Sequence, residues 1–378
     1  MKRYYIIAGE ESGDYIGSKL IESLKSLGLA EQIIFYGIGG RNMTSCGLKS
    51  LFPITEINLM GFVEVIPKIF RIKSLIKQTI QDIINKKPDV LITIDSPGFT
   101  YRIAKQIKQL VPNIKLVHVV APSVWAYKPQ RAEKYAKVYD HLLTLLPFEP
   151  EYFTPLGLDT TCIGHPILEQ EFVIKSSILR EKMNISKDVK IIGVTPGSRK
   201  GEINRHMPII RKVFDKLSTT HPIKIIFIQS DDSNIQQISR FLSDAKFDYC
   251  FSTERLNSFA VSDCVLAKSG TNTIEISASG TPMIVGYKLN PITFFLLKLM
   301  IKVKYATLIN IIAGKEIIPE YIQSDFNVDN ITHAIGDLLS DNKRSQSQVS
   351  EGQRILKNIG LNSEEKPSMK AAKIITRI

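Results

Sequence analysis

Residues 264–287 read CVLAKSGTNTIEISASGTPMIVGY, and the fold follows from this stretch. Cys264 to Ala267 is a short unbroken apolar run, and Met283 to Tyr287 is a second one. Between them lie a small-residue turn, Ser269-Gly270-Thr271, and a segment long enough for a helix. Strand, turn, helix and strand in so little chain is the repeating unit of a parallel sheet. A helix that opens where a strand ends presents unpaired backbone N–H groups and the positive end of its dipole, which suits phosphate. Glu275 lies about one turn in, on the face of Thr271, where a carboxylate can accept hydrogen bonds from a ribose diol. The turn thus fits a nucleotide diphosphate that carries a sugar. A helix cap with close packing would use the same small residues.

The pattern repeats in both directions. Tyr4 to Ala8, Ile33 to Tyr36, Val90 to Ile94, Leu116 to Val120 and His141 to Leu145 read as strands of a first half. Ile191 to Thr195, Ile223 to Ile228, Cys264 to Ala267 and Met283 to Tyr287 read as strands of a second. Helical periods such as Ile16-Leu20-Ile21-Leu24 separate most of them. The expectation is α/β, with two doubly wound, Rossmann-like domains facing across a cleft. The polar stretch from Glu169 to Lys190 marks the boundary. Residues 1–170 form an acceptor-side domain, 185–340 a nucleotide-binding domain and 341–378 a helical tail.

Composition narrows the class. With 378 residues, 44% of them apolar, the chain can fill two cores. Cys46, Cys162, Cys250 and Cys264 are widely spaced with no paired CxxC, so neither a disulfide framework nor a zinc site is indicated, and a reducing cytoplasm fits. Lys2 and Arg3 precede an apolar run that Glu10, Glu11 and Asp14 soon break, as in a first strand rather than a signal peptide. The richest apolar stretch, Phe294 to Ala313, is interrupted by Lys298, Lys302 and Lys304 and does not read as a membrane span. A net charge of +12 would draw nucleic acid, an anionic membrane or a phosphorylated substrate. The lysines are scattered and no nucleic-acid motif accompanies them, so nucleic acid is not expected. Codon bias toward Lys, Ile and Asn would give the same charge with no partner.

Ligands of open α/β sheets bind beyond the carboxyl ends of the strands, and the unusual residue groups fall there. Gly9-Glu10-Glu11-Ser12-Gly13-Asp14 follows the first strand, Asp95-Ser96-Pro97 follows Ile94, and Pro196-Gly197-Ser198-Arg199 follows Thr195, with Glu202 as the next helix opens. Phosphate contacts on one side and carboxylates on the other suggest group transfer from a nucleotide to a nucleophile that must lose a proton. Asp95 is a candidate general base, and Glu10 competes for that role. A turn former before Pro97 and an acidic helix start explain the same two residues without chemistry. Arg199, beside Gly197 and Ser198, offers a planar fork to phosphate oxygens and to the charge that grows on a leaving diphosphate. A surface ion pair with Glu202 is its plainer reading. Trp125, the only tryptophan, and His165 read as structural.

Motifs along the chain resemble those of one family. Gly9 to Asp14, Gly39-Gly40-Arg41-Asn42-Met43, Met60-Gly61-Phe62-Val63-Glu64-Val65 and Pro122-Ser123-Val124-Trp125-Ala126 come first. Pro147-Phe148-Glu149, Gly164-His165-Pro166, Pro196-Gly197-Ser198-Arg199, Ser269-Gly270-Thr271 and Pro319-Glu320 follow in the same order. From about residue 4 to about 335 the sequence resembles lipid-A-disaccharide synthase, an inverting glycosyltransferase of the GT-B fold. The resemblance implies transfer of the sugar of UDP-2,3-diacylglucosamine to the 6-hydroxyl of 2,3-diacylglucosamine 1-phosphate. The products are then the β-1,6 disaccharide precursor of lipid A and UDP, with no metal or other cofactor. It adds Asn310, Glu320 and Gln323 to the UDP site of Gly197, Ser198, Arg199, Ser269, Gly270, Thr271 and Glu275. It also implies a peripheral enzyme on the cytoplasmic face of the inner membrane; oligomeric state, a homodimer included, is left open.

This chain departs from the family pattern at Gly98-Phe99-Thr100, where the usual continuation is Asp-Phe-Asn; Leu308-Ile309-Asn310 stands for Leu-Pro-Asn. A related architecture belongs to UDP-N-acetylglucosamine 2-epimerases, which act on a soluble sugar, and detergent-dependent activity separates the two. A non-catalytic nucleotide-sugar adaptor, degenerate at Gly98 and Thr100, would release no UDP. Between Met60 and Ile80, Val63, Ile66, Ile69 and Phe70 interleave with Lys68, Arg71, Lys73 and Lys77. The stretch reads either as a helix packed on its own sheet or as an interfacial helix meeting acyl chains and anionic headgroups. Phe294 to Tyr305 has the same character.

Overall fold

A computed structural model describes residues 2–29, 33–57, 69–172, 180–181, 185–186, 188–229, 232–300 and 303–378. The chain forms two compact units, residues 1–169 with 362–378 and residues 170–361.

In the first unit β1 (Lys2–Ala8), β2 (Ile33–Ile38), β3 (Lys49–Ser50), β4 (Val90–Ile94), β5 (Lys115–Val119), β6 (His141–Thr144) and β7 (Asp159–Cys162) make one sheet. Its order is β3-β2-β1-β4-β5-β6-β7 and every neighbouring pair is parallel. In the second, β8 (Lys190–Thr195), β9 (Ile223–Ile228), β10 (Asp248–Ser252), β11 (Cys264–Ala267), β12 (Met283–Tyr287) and β13 (Glu320–Ile322) run in the order β10-β9-β8-β11-β12-β13, again parallel. The α/β class and the two doubly wound sheets are those expected from the sequence.

The central strands are buried on both faces because helices cover both, so β4 and β11 are buried at every residue. In the first unit the Ile69–Lys86 and Thr100–Leu110 helices enclose one core, in which Leu75, Ile76, Ile80, Ile83, Ile103 and Ile107 pack on Leu91 and Leu116. In the second, Ile203, Met207, Ile210 and Phe214 of the Lys200–Leu217 helix meet Ile192, Ile225 and Leu266. Strand order reverses between β1 and β4 in one sheet and between β8 and β11 in the other. These are the positions where doubly wound sheets bind ligands.

The stretch 341–378 is divided between the units. Asn342–Lys357 belongs to the second, while Pro367–Arg377 lies on the Glu11–Leu24 helix of the first. Glu169 holds the start of that last helix, accepting from Ser368 N–H at 2.6 Å and from Ser368 Oγ at 2.7 Å. Among the described residues no helix is long and apolar enough to cross a membrane.

Candidate functional site

In the second unit the loops after β8, β11 and β12 converge on Glu202. This carboxylate, in the first turn of the Lys200–Leu217 helix, is 2% exposed. Oε1 accepts from Tyr287 Oη at 2.9 Å, and Arg199 Nη1 stands 3.6 Å away. Oε2 accepts from Ser198 N–H at 3.2 Å and from Lys268 Nζ at 3.3 Å. Burial pushes the carboxyl up, but Lys268, the Tyr287 hydroxyl and Arg199 outweigh it and hold it below the usual range. Gly197 permits this convergence. Its φ is +134°, and a Cβ there would lie 2.8 Å from Glu202 Cβ. His206, kept neutral by burial, has Nδ1 2.6 Å from Pro196 O and accepts from Lys288 N–H at 3.0 Å through Nε2. It therefore ties the β8 loop to the β12 loop.

The structure brings Gly197, Ser198, Arg199, Ser269, Gly270 and Thr271 to adjacent strand ends, β8 beside β11. Thr195 Oγ1 joins the two loops, accepting from Lys268 N–H at 3.1 Å and Asn272 Nδ2 at 2.9 Å. The plain reading of Arg199 as a partner of Glu202 is present too, and its side chain is half exposed. Glu275 is 2% exposed and ion-paired to Arg255, with Gln170 Nε2 at 3.4 Å, so a ribose would share it with these groups.

Asn310 and Glu320 build the loop rather than project from it. Asn310 donates to Ile318 O and Glu320 Oε1, both at 2.8 Å, and accepts from Ile317 and Ile318 N–H at 2.8 and 2.9 Å. That is its full hydrogen-bonding capacity. Glu320 also accepts from Ala306 N–H, Thr307 N–H and Thr307 Oγ1, and Ser269 Oγ donates to Ala306 O at 2.9 Å. Asn310 and Glu320 thus hold the segment against which the Ser269 turn rests. Gln323 takes φ +58° after β13 and accepts from Leu289 N–H at 3.0 Å, fixing the β12 loop.

From the sequence Glu202 reads only as a partner of Arg199, and Lys268 and Tyr287 carry no assigned role. The spacing of Glu202 three residues beyond Arg199 at a helix mouth was the available signal. Tyr287 carried none, because its role comes from sheet order.

At the switch point of the first sheet the Glu10 and Asp95 loops touch. A Cβ on Gly9 would lie 2.1 Å from Ser96 Oγ. Asp95 and Ser96 have φ +48° and +47°, and Val120, at the end of β5, has φ +74°. Non-glycine residues in this region are strained by roughly 1–3 kcal/mol each, and such strain gathers at functional sites. Burial pushes the Asp95 carboxyl up, opposed by a hydrogen bond from the Ser96 backbone. Thr100 Oγ1, at the departure from the family pattern, donates to Asp95 O at 2.7 Å and braces this turn, while Gly98 is exposed. Asp14 accepts from the N–H groups of Gly40, Asn42 and Met43 at 2.7, 2.9 and 3.1 Å. It fixes the neighbouring β2 loop, as a structural cap.

Trp125 and the Pro147-Phe148-Glu149 motif meet. Trp125 Nε1 donates to Glu149 Oε1 at 3.2 Å, and Glu149 Oε2 accepts from Leu145 and Leu146 N–H at 3.1 and 2.9 Å. Burial pushes Glu149 up to about 7. His165 accepts from Ile167 N–H at 3.2 Å and is pushed down to about 4 by burial, as suits a structural histidine.

Of the membrane-contact candidates, Val63, Ile66 and Lys68, like the Met60–Val65 motif, lie outside the described residues, as does the side chain of Ile69. The Ile69–Lys86 helix has one packed face and one exposed face. Leu75, Ile76 and Ile80 pack on the sheet, whereas Phe70 is 83% exposed beside exposed Arg71, Lys73 and Lys77. Arg71 is ion-paired to Glu56. In the Phe294–Tyr305 stretch, Phe295 is exposed.

Over residues 4–375 the chain matches the family described as lipid-A-disaccharide synthetase. It is 53% identical over 377 residues to the lipid-A-disaccharide synthase of Rickettsia akari (strain Hartford), covering 99% of this chain and 96% of that protein. To that of Rickettsia prowazekii (strain Madrid E) it is 52% identical over 378 residues, covering 99% of each. The fold is similar to the crystal structure of the kitacinnamycin glycotransferase (TM-score 0.66, 12% identity, 99% of this chain and 98% of that one). It is also similar to a UDP-N-acetylglucosamine 2-epimerase from Listeria monocytogenes (TM-score 0.64, 12% identity, 100% and 95%). The two structures share architecture alone with this chain, whereas the sequence relatives share half its residues from end to end. Matched along nearly its whole length by both the family and these relatives, the chain belongs to the lipid-A-disaccharide synthetase family of glycosyltransferases.

Proposed function

We propose that the enzyme makes the lipid A disaccharide by moving 2,3-diacylglucosamine from UDP to the 6-hydroxyl of 2,3-diacylglucosamine 1-phosphate. The observation that carries this reading is the gathering of Arg199, Ser198 and the Ser269-Gly270-Thr271 turn at the β8/β11 switch point. Backbone N–H groups and a guanidinium held there before reaction need no reorganisation as charge grows on the departing UDP. In the first unit Asp95 takes the proton of the 6-hydroxyl, and its oxygen then attacks the anomeric carbon from the face opposite UDP, which inverts the centre. Burial of Asp95 makes it a stronger base than an ordinary carboxylate. Glu10, on the adjoining loop, is the alternative base.

The enzyme works peripherally, on the cytoplasmic face of the inner membrane, where both lipid substrates would be met. Exposed Phe70 among Arg71, Lys73 and Lys77 supports a docking role for the 60–80 stretch. The test is a disaccharide assay with purified protein in mixed micelles of both lipids. Disaccharide and UDP should appear in equal amounts and depend on detergent. A free soluble sugar as product would indicate an epimerase-like enzyme, and no UDP release a binding protein.

A further inference from the structure

We propose that Lys268 is a second phosphate-binding cation of the nucleotide site, paired with Arg199 across the Glu202 carboxylate; this rests on the UDP reading above. Lys268 directly follows β11, immediately before the Ser269 turn, and its N–H is fixed by Thr195 Oγ1 at 3.1 Å. The ammonium therefore emerges from the same strand edge as the turn's backbone N–H groups. Its bond to Glu202 Oε2 is 3.3 Å, and Arg199 stands 3.6 Å from Oε1. Both are long for charge-assisted contacts, which settle near 2.7–2.9 Å. Lys268 and Arg199 thus flank the two oxygens of one buried carboxylate, each by a long contact.

An ammonium has three donors and Lys268 uses one of them on Glu202. A diphosphate has oxygens on two phosphorus atoms and more than one negative charge, so it can engage Lys268 and Arg199 together. Glu202, with Tyr287 and Ser198 also on its oxygens, is the fixed post from which both cations reach. The plainer account is that Lys268 merely neutralises Glu202, because a buried carboxylate stripped of its partner is costly.

The two accounts part in a double variant. Titrations with uridine, UMP and UDP are made on wild type, Lys268→Met, Lys268→Arg and Lys268→Met/Glu202→Gln, each checked by thermal melting. A phosphate role predicts that Lys268→Met weakens UDP about 10- to 100-fold, the worth of one charge-assisted hydrogen bond. UMP should lose less, uridine should be unchanged, and Lys268→Arg should retain most of the UDP affinity. The double variant should stay weak for UDP although no unpaired carboxylate remains. Recovery of wild-type affinity in the double variant would overturn the proposal, as would a loss equal for uridine and UDP or unchanged UDP binding by Lys268→Met. Wild type that binds no UDP would remove the parent reading and this one with it, an outcome separate from a normal wild type beside an unaffected variant.

Discussion

At the scale of single residues, the roles proposed for Arg199 and Asp95 are electrostatically opposite, and each gives a prediction. Arg199 stands half exposed at a helix mouth, where in the proposed reaction a fixed donor would act on charge that appears only as the sugar–phosphate bond breaks. Arg199→Ala should lower turnover by about 10²–10³, typical of a lost charge-stabilising donor, and near-normal turnover would remove Arg199 from the mechanism. As the proposed base Asp95 would accept a proton, and burial raises its pKa. The ionised form works, so the rate should be full above that raised pKa and fall as pH drops through it. Asp95→Asn should abolish disaccharide formation while UDP still binds, and the acid limb cannot then be Asp95's in any residual activity. Glu149, pushed up to about 7, titrates near neutrality as well, so the wild-type limb must survive in Glu149→Gln. If Asp95→Asn stays active and Glu10→Gln does not, Glu10 is the base.

At the scale of elements, what could be read from the sequence follows burial. The nine strands expected from apolar runs are present, with ends shifted by a residue or two, because they are interior strands covered on both faces. β3, β7, β10 and β13 gave no such run, and they are the four sheet edges. An edge strand such as Asp159–Cys162 has no fully buried residue and so needs no apolar pattern. Val120, read as strand, lies just past β5 with φ +74°, a conformation that hydropathy does not encode. The same limit applies to Asn310, whose partners lie seven to ten residues on. Asn310→Ala should leave Ile317 and Ile318 N–H unpaired and cost about 2–4 kcal/mol of stability in urea unfolding. A loss of UDP affinity at unchanged stability would instead make Asn310 a direct ligand. For the Ile69–Lys86 helix and the residues just before it, changing Lys68, Arg71, Lys73 and Lys77 to Gln should weaken co-sedimentation with anionic vesicles. Each free cation contributes roughly 1 kcal/mol at low salt, and Arg71 less because Glu56 already holds it. Equal sedimentation of both proteins would place the contact elsewhere, with the Phe294–Tyr305 stretch next.

At the scale of the whole molecule, residues 362–378 return to the unit of residues 1–169, and residues 170–361 form the other unit. Nothing local in residues 367–377 says which sheet they cover, because the partners lie hundreds of positions away. Ser23 Oγ donates to Ser368 Oγ at 2.8 Å, Lys370 Nζ to Cys162 O at 2.8 Å, and Lys2 Nζ to Thr376 O at 3.3 Å. Ala371, Ala372 and Ile375 are buried there, and Ile375 alone is worth about 2 kcal/mol. Deleting residues 362–378 should therefore loosen the first unit and spare the second. Amide exchange should quicken in β1 and the Glu11–Leu24 helix, and disaccharide formation should fail because the Glu10 and Asp95 loops rest on that sheet. UDP binding should persist, since the β8, β11 and β12 loops belong to the other unit. Loss of UDP binding together with activity would mean that the two units fold as one cooperative body. Unchanged exchange in the Glu11–Leu24 helix would mean that the last helix contributes no stability to the first unit.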